Sequence, residues 1–257
     1  MNIDNNKVGK VYLVGAGPGD PELLTLKAKN IIEVSDVIVY DALVNPSILN
    51  FCNPRAEIIR VGKRRGHHSY SQDQISNLLV QKSAKPVQIV RLKGGDPCIF
   101  GRGGEEMLEL ISHGISVEVI PGITAAIASS AYANLPLTHR GWSSSVSFIT
   151  GTEANNKAIF YLKLENIILG SDTIVIYMAL HNLSGIIEKF IKVGRSLETP
   201  IMLIQWCSLP VQKTLVGTLG TIIDQLYEVD FGPPSIAIIG NIVEIATITA
   251  EFLGGSV

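Results

Sequence analysis

Three glycine-punctuated turns set the strongest constraint on how this chain can fold. They are Val14-Gly15-Ala16-Gly17-Pro18-Gly19-Asp20-Pro21, Arg91-Leu92-Lys93-Gly94-Gly95-Asp96-Pro97 and Ile120-Pro121-Gly122-Ile123-Thr124-Ala125. Each follows an apolar, β-branched run: Val11–Val14, Val87–Leu92 and Val117–Ile120. Such runs read as strands buried on both faces, and the turn after each marks a strand's carboxyl end. In open α/β sheets that edge is where ligands collect. Glycine there admits close backbone approach, and proline fixes the turn. Three such turns in one chain point to a ligand cleft built of bare backbone.

The intervening segments fit an α/β fold. Pro21 to Val34 carries helix signals, with Asp20 as cap and Glu22 at the positive dipole end. Further strands are expected at Val37–Tyr40 and Ile58–Val61, and helices at Gln72–Lys82 and Glu105–Ser112. Beyond Pro121 the expected elements are a small-residue helix at Ala125–Ala133 and strands at Val146–Thr150, Thr173–Met178, Ile201–Gln205, Thr214–Thr218 and Ser235–Ile239. Helices are expected at Gly185–Val193 and Ile222–Val229. The reading is an α/β protein with a mainly parallel sheet in an N-terminal lobe, 1–121, and a second α/β lobe, 122–257. No internal repeat or low-complexity linker interrupts it.

Two familiar readings of the glycines fail. A dinucleotide fingerprint needs a third glycine where this chain has Asp20, whose charge opposes a pyrophosphate at a helix start. The second turn lacks the Gly-Lys-Ser/Thr that closes a phosphate loop. What fits is a cofactor with polar groups and little phosphate. The basic run Gly62-Lys63-Arg64-Arg65-Gly66-His67-His68 suits a polyanionic substrate, and Arg91, His139 and Arg140 add to that field.

Composition narrows the class further. The net charge of −2 gives no global field for nucleic acid or an anionic membrane. Cys52, Cys98 and Cys207 form neither a disulfide framework nor a metal-ligand spacing, so no metal is expected. The start of the chain has no signal-peptide pattern and no apolar run spans a bilayer, which points to the cytoplasm.

At these residues the chain resembles the tetrapyrrole methylase family. The first turn, Val11 to Pro21, matches the family's opening signature. Tyr40-Asp41-Ala42-Leu43-Val44, Gly62-Lys63-Arg64 through His68 and Gln72, and Arg91 through Phe100-Gly101-Arg102-Gly103-Gly104-Glu105-Glu106 resemble the branch that acts on uroporphyrinogen III. Pro121-Gly122-Ile123-Thr124-Ala125, Pro136-Leu137-Thr138-His139-Arg140 and Tyr177-Met178-Ala179 complete a match spanning roughly residues 8 to 245.

The resemblance implies a two-lobed homodimer in which S-adenosylmethionine (SAM) lies in the cleft between the lobes, the second of them built on a mixed sheet. The implied reaction methylates uroporphyrinogen III at C2 and C7, giving precorrin-2 and two S-adenosylhomocysteines. The family's cofactor contacts fall on Pro18, Gly94, Gly95, Asp96, Ile99, Thr124, Ala125, Met178 and the backbone at Cys207. Asp41 matches the family's proton acceptor and Lys63 its donor. Arg91, Arg140 and His139 are expected to grip substrate carboxylates, with Arg91 also assisting proton loss. Cys98 stands where the motif has Phe, and Gln205-Trp206-Cys207-Ser208 replaces a more polar, Gly-bearing stretch. The extra dehydrogenase–chelatase module of the bifunctional sirohaem synthases is expected to be absent. Two other readings stay open: a methylase of a later precorrin, which the Gly94–Glu106 motif argues against, and a non-catalytic SAM or tetrapyrrole sensor.

Overall fold

The computed structural model describes residues 9–62, 70–152 and 157–253, in two compact units, Met1–Thr124 and Ala125–Val257. The first unit is a five-stranded, fully parallel sheet. In chain order it comprises β1 (Lys10–Gly15), α1 (Leu26–Val34), β2 (Val37–Tyr40), β3 (Glu57–Arg60), α2 (Gln72–Lys82), β4 (Gln88–Lys93), α3 (Gly103–Ser112) and β5 (Ser116–Ile120). The strands lie in the order β3-β2-β4-β1-β5. Alternation along β1 divides the core between the two faces. Val11 and Leu13 pack with Ile75 and Leu79 of α2 and Leu110 of α3, while Tyr12 and Val14 pack with Ala28 and Ile32 of α1. Helices on both faces explain why these strands read as unbroken apolar runs.

Strand order also explains where the three glycine turns go. β1 lies between β4 and β5, with Val14 in register with both Leu92 and Ile120. The turns that leave these strands are therefore neighbours at one edge of the sheet. They contact each other through main chain: Gly17 N donates to Gly95 O (3.1 Å), and Gly95 N returns a bond to Gly17 O (2.7 Å). A Cβ on Gly15 would lie 2.5 Å from both Cα and N of Gly122 and 2.7 Å from Gly95 O. These glycines are consumed by turn-on-turn packing, a demand the sequence pattern alone does not separate from ligand approach.

The second unit comprises α4 (Ala125–Tyr132), β6 (Val146–Thr150), α5 (Lys157–Gly170), β7 (Thr173–Tyr177), α6 (Leu183–Lys192), β8 (Pro200–Gln205), β9 (Lys213–Thr218), α7 (Ile222–Glu228), β10 (Ser235–Ile239) and α8 (Glu244–Leu253). Its sheet, β6-β7-β10-β8-β9, is mixed: β6 and β7 are parallel and the other pairings antiparallel. Ile174, Ile176, Phe190, Ile201, Leu203 and Ala237 lie in its core.

Three local expectations are corrected. The helix expected from Pro21 to Val34 is split: a 3-10 turn at Pro21–Leu23 ends in extended chain, and Thr25 starts α1 afresh, its Oγ1 accepting from Ala28 N (3.1 Å). Asp20 caps the short turn, its Oδ1 accepting from Glu22 N. Two helices, α5 and α8, were not anticipated. The apolar residues of α5 are spread around the helix, leaving no stripe of helical period in the sequence. In α8 the β-branched residues Ile245, Thr247, Ile248 and Thr249 weaken the helical signal. Among the described residues no helix is long and apolar enough to cross a membrane.

Candidate active site

The carboxyl edge of the first sheet gathers charge as well as glycine. β2 pairs with β4, Tyr40 in register with Leu92, so Asp41 emerges beside Arg91 and Lys93. Arg91 and Lys93, two residues apart, project to the same face of β4, the face that Ile89 shares with α2 and α3. Two cations on a buried strand require counter-charge, and α3 supplies it with Glu106.

Arg91 is 1% exposed, Lys93 3% and Glu106 0%. Arg91 Nη2 donates to Asp41 Oδ1 (2.6 Å) and to Glu106 Oε1 (3.2 Å). Its Nε also reaches Glu106 Oε1 (3.3 Å), and Nη1 donates to Leu92 O (3.3 Å). Lys93 Nζ donates to Glu106 Oε1 (2.9 Å) and stands 3.7 Å from Asp41 Oδ2. Gln72 Nε2 of α2 adds a donor to Glu106 Oε1 (2.8 Å). The helix carrying Gln72 is set by a capping box at Ser71 and Gln74. Of the four charged side chains in this network, Asp41, 28% exposed, is the one that reaches solvent.

Electrostatics follow from burial. Desolvation pushes the Lys93 ammonium below its ordinary value, and Arg91 pushes it further against the pull of Glu106 and Asp41. Burial alone would raise Glu106, but Arg91, Lys93 and the Gln72 hydrogen bond outweigh it and hold the carboxyl below the usual range. Burial thus favours the neutral amine at Lys93, while the neighbouring cations favour the carboxylate at Glu106.

The expected contacts divide as follows. Asp41 stands at the edge of this network. Arg91, expected to grip substrate, is buried, with all three nitrogens engaged by acceptors of the chain itself. Two cations inside an apolar strand were the available signal for buried partners. Lys93, Glu106 and Gln72 were missed as site residues, because their pairing is set by the packing of α2 and α3 on β4. Lys63 and the His67-His68 pair lie outside the described residues.

Among the expected cofactor residues of the first unit, Gly94 and Gly95 follow β4 and Pro18 follows β1. Asp96 is occupied structurally: Oδ1 accepts from Cys98 N (2.7 Å) and Oδ2 from Gly122 N (3.0 Å), tying the second turn to the third. Ile99 is exposed and Thr124 buried. Phe100 and Arg102 adopt positive φ, and exposed Arg102 pairs with Glu105 (3.2 Å).

In the second unit, Ala125 opens α4, which is anchored where Ala126 N donates to the Tyr177 hydroxyl (3.1 Å). Met178 directly follows β7, exposed and at φ 56°; Trp206 and Ser208, at φ 50° and 64°, flank Cys207 just after β8. Non-glycine residues in this region cost about 1 kcal/mol or more each and concentrate at ligand-bearing turns. Cys207 is buried, which pushes its thiol pKa up. His139 and Arg140 are exposed in a turn closed by His139–Ser143 backbone bonds. Among the described residues no group of three or more His, Cys, Asp or Glu is arranged to hold a metal.

Comparison with known proteins converges on one family. Residues 10–223 match the tetrapyrrole (corrin/porphyrin) methylases. The chain is 57% identical over 244 residues to uroporphyrinogen-III C-methyltransferase of Cyanidium caldarium, covering 95% of this chain and 97% of that one. It is 51% identical over 259 residues to the enzyme of the same name from Synechocystis, covering 99% and 98%. Among solved structures, the Thermus thermophilus uroporphyrin-III C-methyl transferase complexed with S-adenosylhomocysteine superposes with a TM-score of 0.78. That structure is 36% identical and covers 92% of this chain and 100% of the other.

Proposed function

The chain belongs to the tetrapyrrole (corrin/porphyrin) methylase family, and on that premise we propose how it acts: as a SAM-dependent C-methyltransferase on uroporphyrinogen III. It methylates C2 and then C7, giving precorrin-2 and two S-adenosylhomocysteines. The observation that carries this reading is the 57% identity to a uroporphyrinogen-III C-methyltransferase across nearly the whole of both chains.

The residues present fit the methyl donor. Ile99 in the first unit and Met178 in the second each leave an apolar side chain exposed. Gly94 presents main chain, Gly95 bonds Gly17 through both its main-chain groups, Asp96 fixes their turn, and Pro18, Thr124, Ala125 and the Cys207 backbone complete the proposed contacts. SAM supplies an activated methyl group: the pyrrole carbon provides the electron pair of the new C–C bond, the sulfur keeps the pair of the broken one, and the methylated ring sheds a proton. The protein's task is then alignment, worth up to about 7–11 kcal/mol, plus one proton acceptor worth ~10²–10⁴-fold.

Asp41 is the proposed acceptor, oriented by Arg91, and Lys63 is the proposed donor. Arg91 thus acts on the proton step through Asp41, while exposed Arg140 and His139 are left to meet the substrate's carboxylates. The same reading includes a homodimer in the cytoplasm, which sedimentation and fractionation test.

The decisive experiment incubates the chain anaerobically with enzymatically generated uroporphyrinogen III and SAM. A doubly methylated, readily oxidised chromophore with two S-adenosylhomocysteines per tetrapyrrole is expected. Binding of SAM without transfer would identify a sensor, and transfer only to a later precorrin would reassign the substrate.

A further inference from the structure

The buried carboxylate of Glu106 is unevenly used. Oε1 accepts from Gln72, from Lys93 and twice from Arg91. Oε2 is buried with no hydrogen-bond partner among the described residues. An oxygen with four donors beside an idle one draws two cations to one point, and both of those cations also face Asp41. Arg91 Nη2 is shared between Oε1 of Glu106 and Oδ1 of Asp41, so the two carboxylates are separated by no more than those two contacts.

Stability gives no account of this arrangement. Charged groups buried in an apolar sheet are frequently no better than well-packed apolar side chains of the same volume. The network pairs two basic side chains with two acidic ones, and that pairing matters most at Asp41, the half-buried acid at its edge. Without Glu106, two cations would face one carboxylate, which would then hold a proton less readily. The charged groups facing Asp41 among the described residues are Arg91 and Lys93 of β4, with Glu106 of α3 behind them; Arg60, ending the adjacent β3, is exposed.

We propose that Glu106 is a positioning residue for the Asp41 carboxylate, acting through Arg91 and Lys93 as the counter-charge that sets its orientation and basicity. The proposal rests on Asp41 being the proton acceptor. It assigns Lys93 and Gln72 to the same device: Lys93 carries part of the charge, and Gln72 fixes Glu106 without adding any.

Rate–pH profiles of Glu106→Gln, Lys93→Met, the double variant and Asp41→Asn test it, with S-adenosylhomocysteine binding measured by calorimetry on each. Glu106→Gln is expected to move the acid limb of the kcat profile down by about one pH unit and to lower kcat about tenfold. Lys93→Met removes a cation and is expected to move the limb up. It reads the same field with opposite sign if Glu106→Gln does not fold. The double variant restores the charge balance and is expected to bring the limb back toward that of the parent. Binding of S-adenosylhomocysteine is expected to be unchanged throughout. If Asp41→Asn abolishes the limb while the Glu106 and Lys93 variants leave it in place, the positioning role is overturned and the acceptor reading survives. If Asp41→Asn retains the parent profile, the acceptor reading fails and the proposal fails with it.

Discussion

Replacing Gly15 by alanine tests whether the glycine turns are spent on one another. The added Cβ would sit 2.5 Å from Cα and N of Gly122 and 2.7 Å from Gly95 O. Carbon contacts become comfortable near ~3.5 Å, so about 1 Å of overlap must be relieved. All three obstacles are main-chain atoms, and none can rotate aside as a side chain would. Overpacking costs about 1–3 kcal/mol where neighbours yield. Here the paired Gly17–Gly95 bonds must shift too, at roughly 1 kcal/mol each. A smaller unfolded-state entropy returns about 0.4–1 kcal/mol, leaving a net loss near 3 kcal/mol. Gly104 is the control: it lies in the first turn of α3, its φ is ordinary, and nothing stands within 4 Å of an added Cβ. Gly104→Ala is expected to be neutral or to gain about 0.5–1 kcal/mol. Urea unfolding followed by circular dichroism reads both as midpoint shifts at unchanged slope. The reasoning is refuted if Gly15→Ala costs less than about 1 kcal/mol, or if Gly104→Ala is equally damaging.

Other substitutions separate strong contacts from weak ones. Arg195 donates through Nε and Nη2 to Ile168 O and through Nη2 to Ser171 O, satisfying carbonyls at the end of α5. Arg195→Leu is expected to cost about 1.5–3 kcal/mol, and Arg195→Lys to recover little because it lacks the planar fork; urea midpoints check both. Glu118, held down to about 2 by Lys10 and Lys27, is a half-buried partner. Glu118→Gln should change stability by no more than about 1 kcal/mol, and by less when added salt screens the pair. Glu106 has a folded pKa depressed below its unfolded value of about 4.3. Its contribution is therefore fully present above that value and is lost as pH falls through the folded one. Parent stability should drop more steeply below pH ~4 than that of Glu106→Gln, as acid titration of the unfolding midpoint will show.

Much of the molecule is written locally. β-branched runs ending in glycine turns specify parallel strands, because both the two-sided burial and the sharp exit are encoded within a few residues. Gln72–Lys82 is legible because its cap and its apolar face lie within its own turns. α5 was not, since a helix without an apolar stripe is defined by what packs around it. Thr25 shows the opposite error: a strong early signal at Asp20 and Pro21 concealed the second cap five residues on.

What the sequence by itself determined is the inventory at the site: glycine turns, the Asp41 carboxylate, and two cations on a buried strand. What the tertiary structure decided is how that inventory is used. The order β3-β2-β4-β1-β5 brings three distant turns together, so glycines that suggested a bare ligand cradle are first required for turn-on-turn contact. The packing of α3 on β4 sets Glu106 against Arg91 and Lys93, and Arg91 is held between Glu106 and Asp41. The physical reason is the range of the forces: turn and strand preferences act within a few residues. Strand order and the neutralisation of a buried charge depend on partners that only the folded chain brings near.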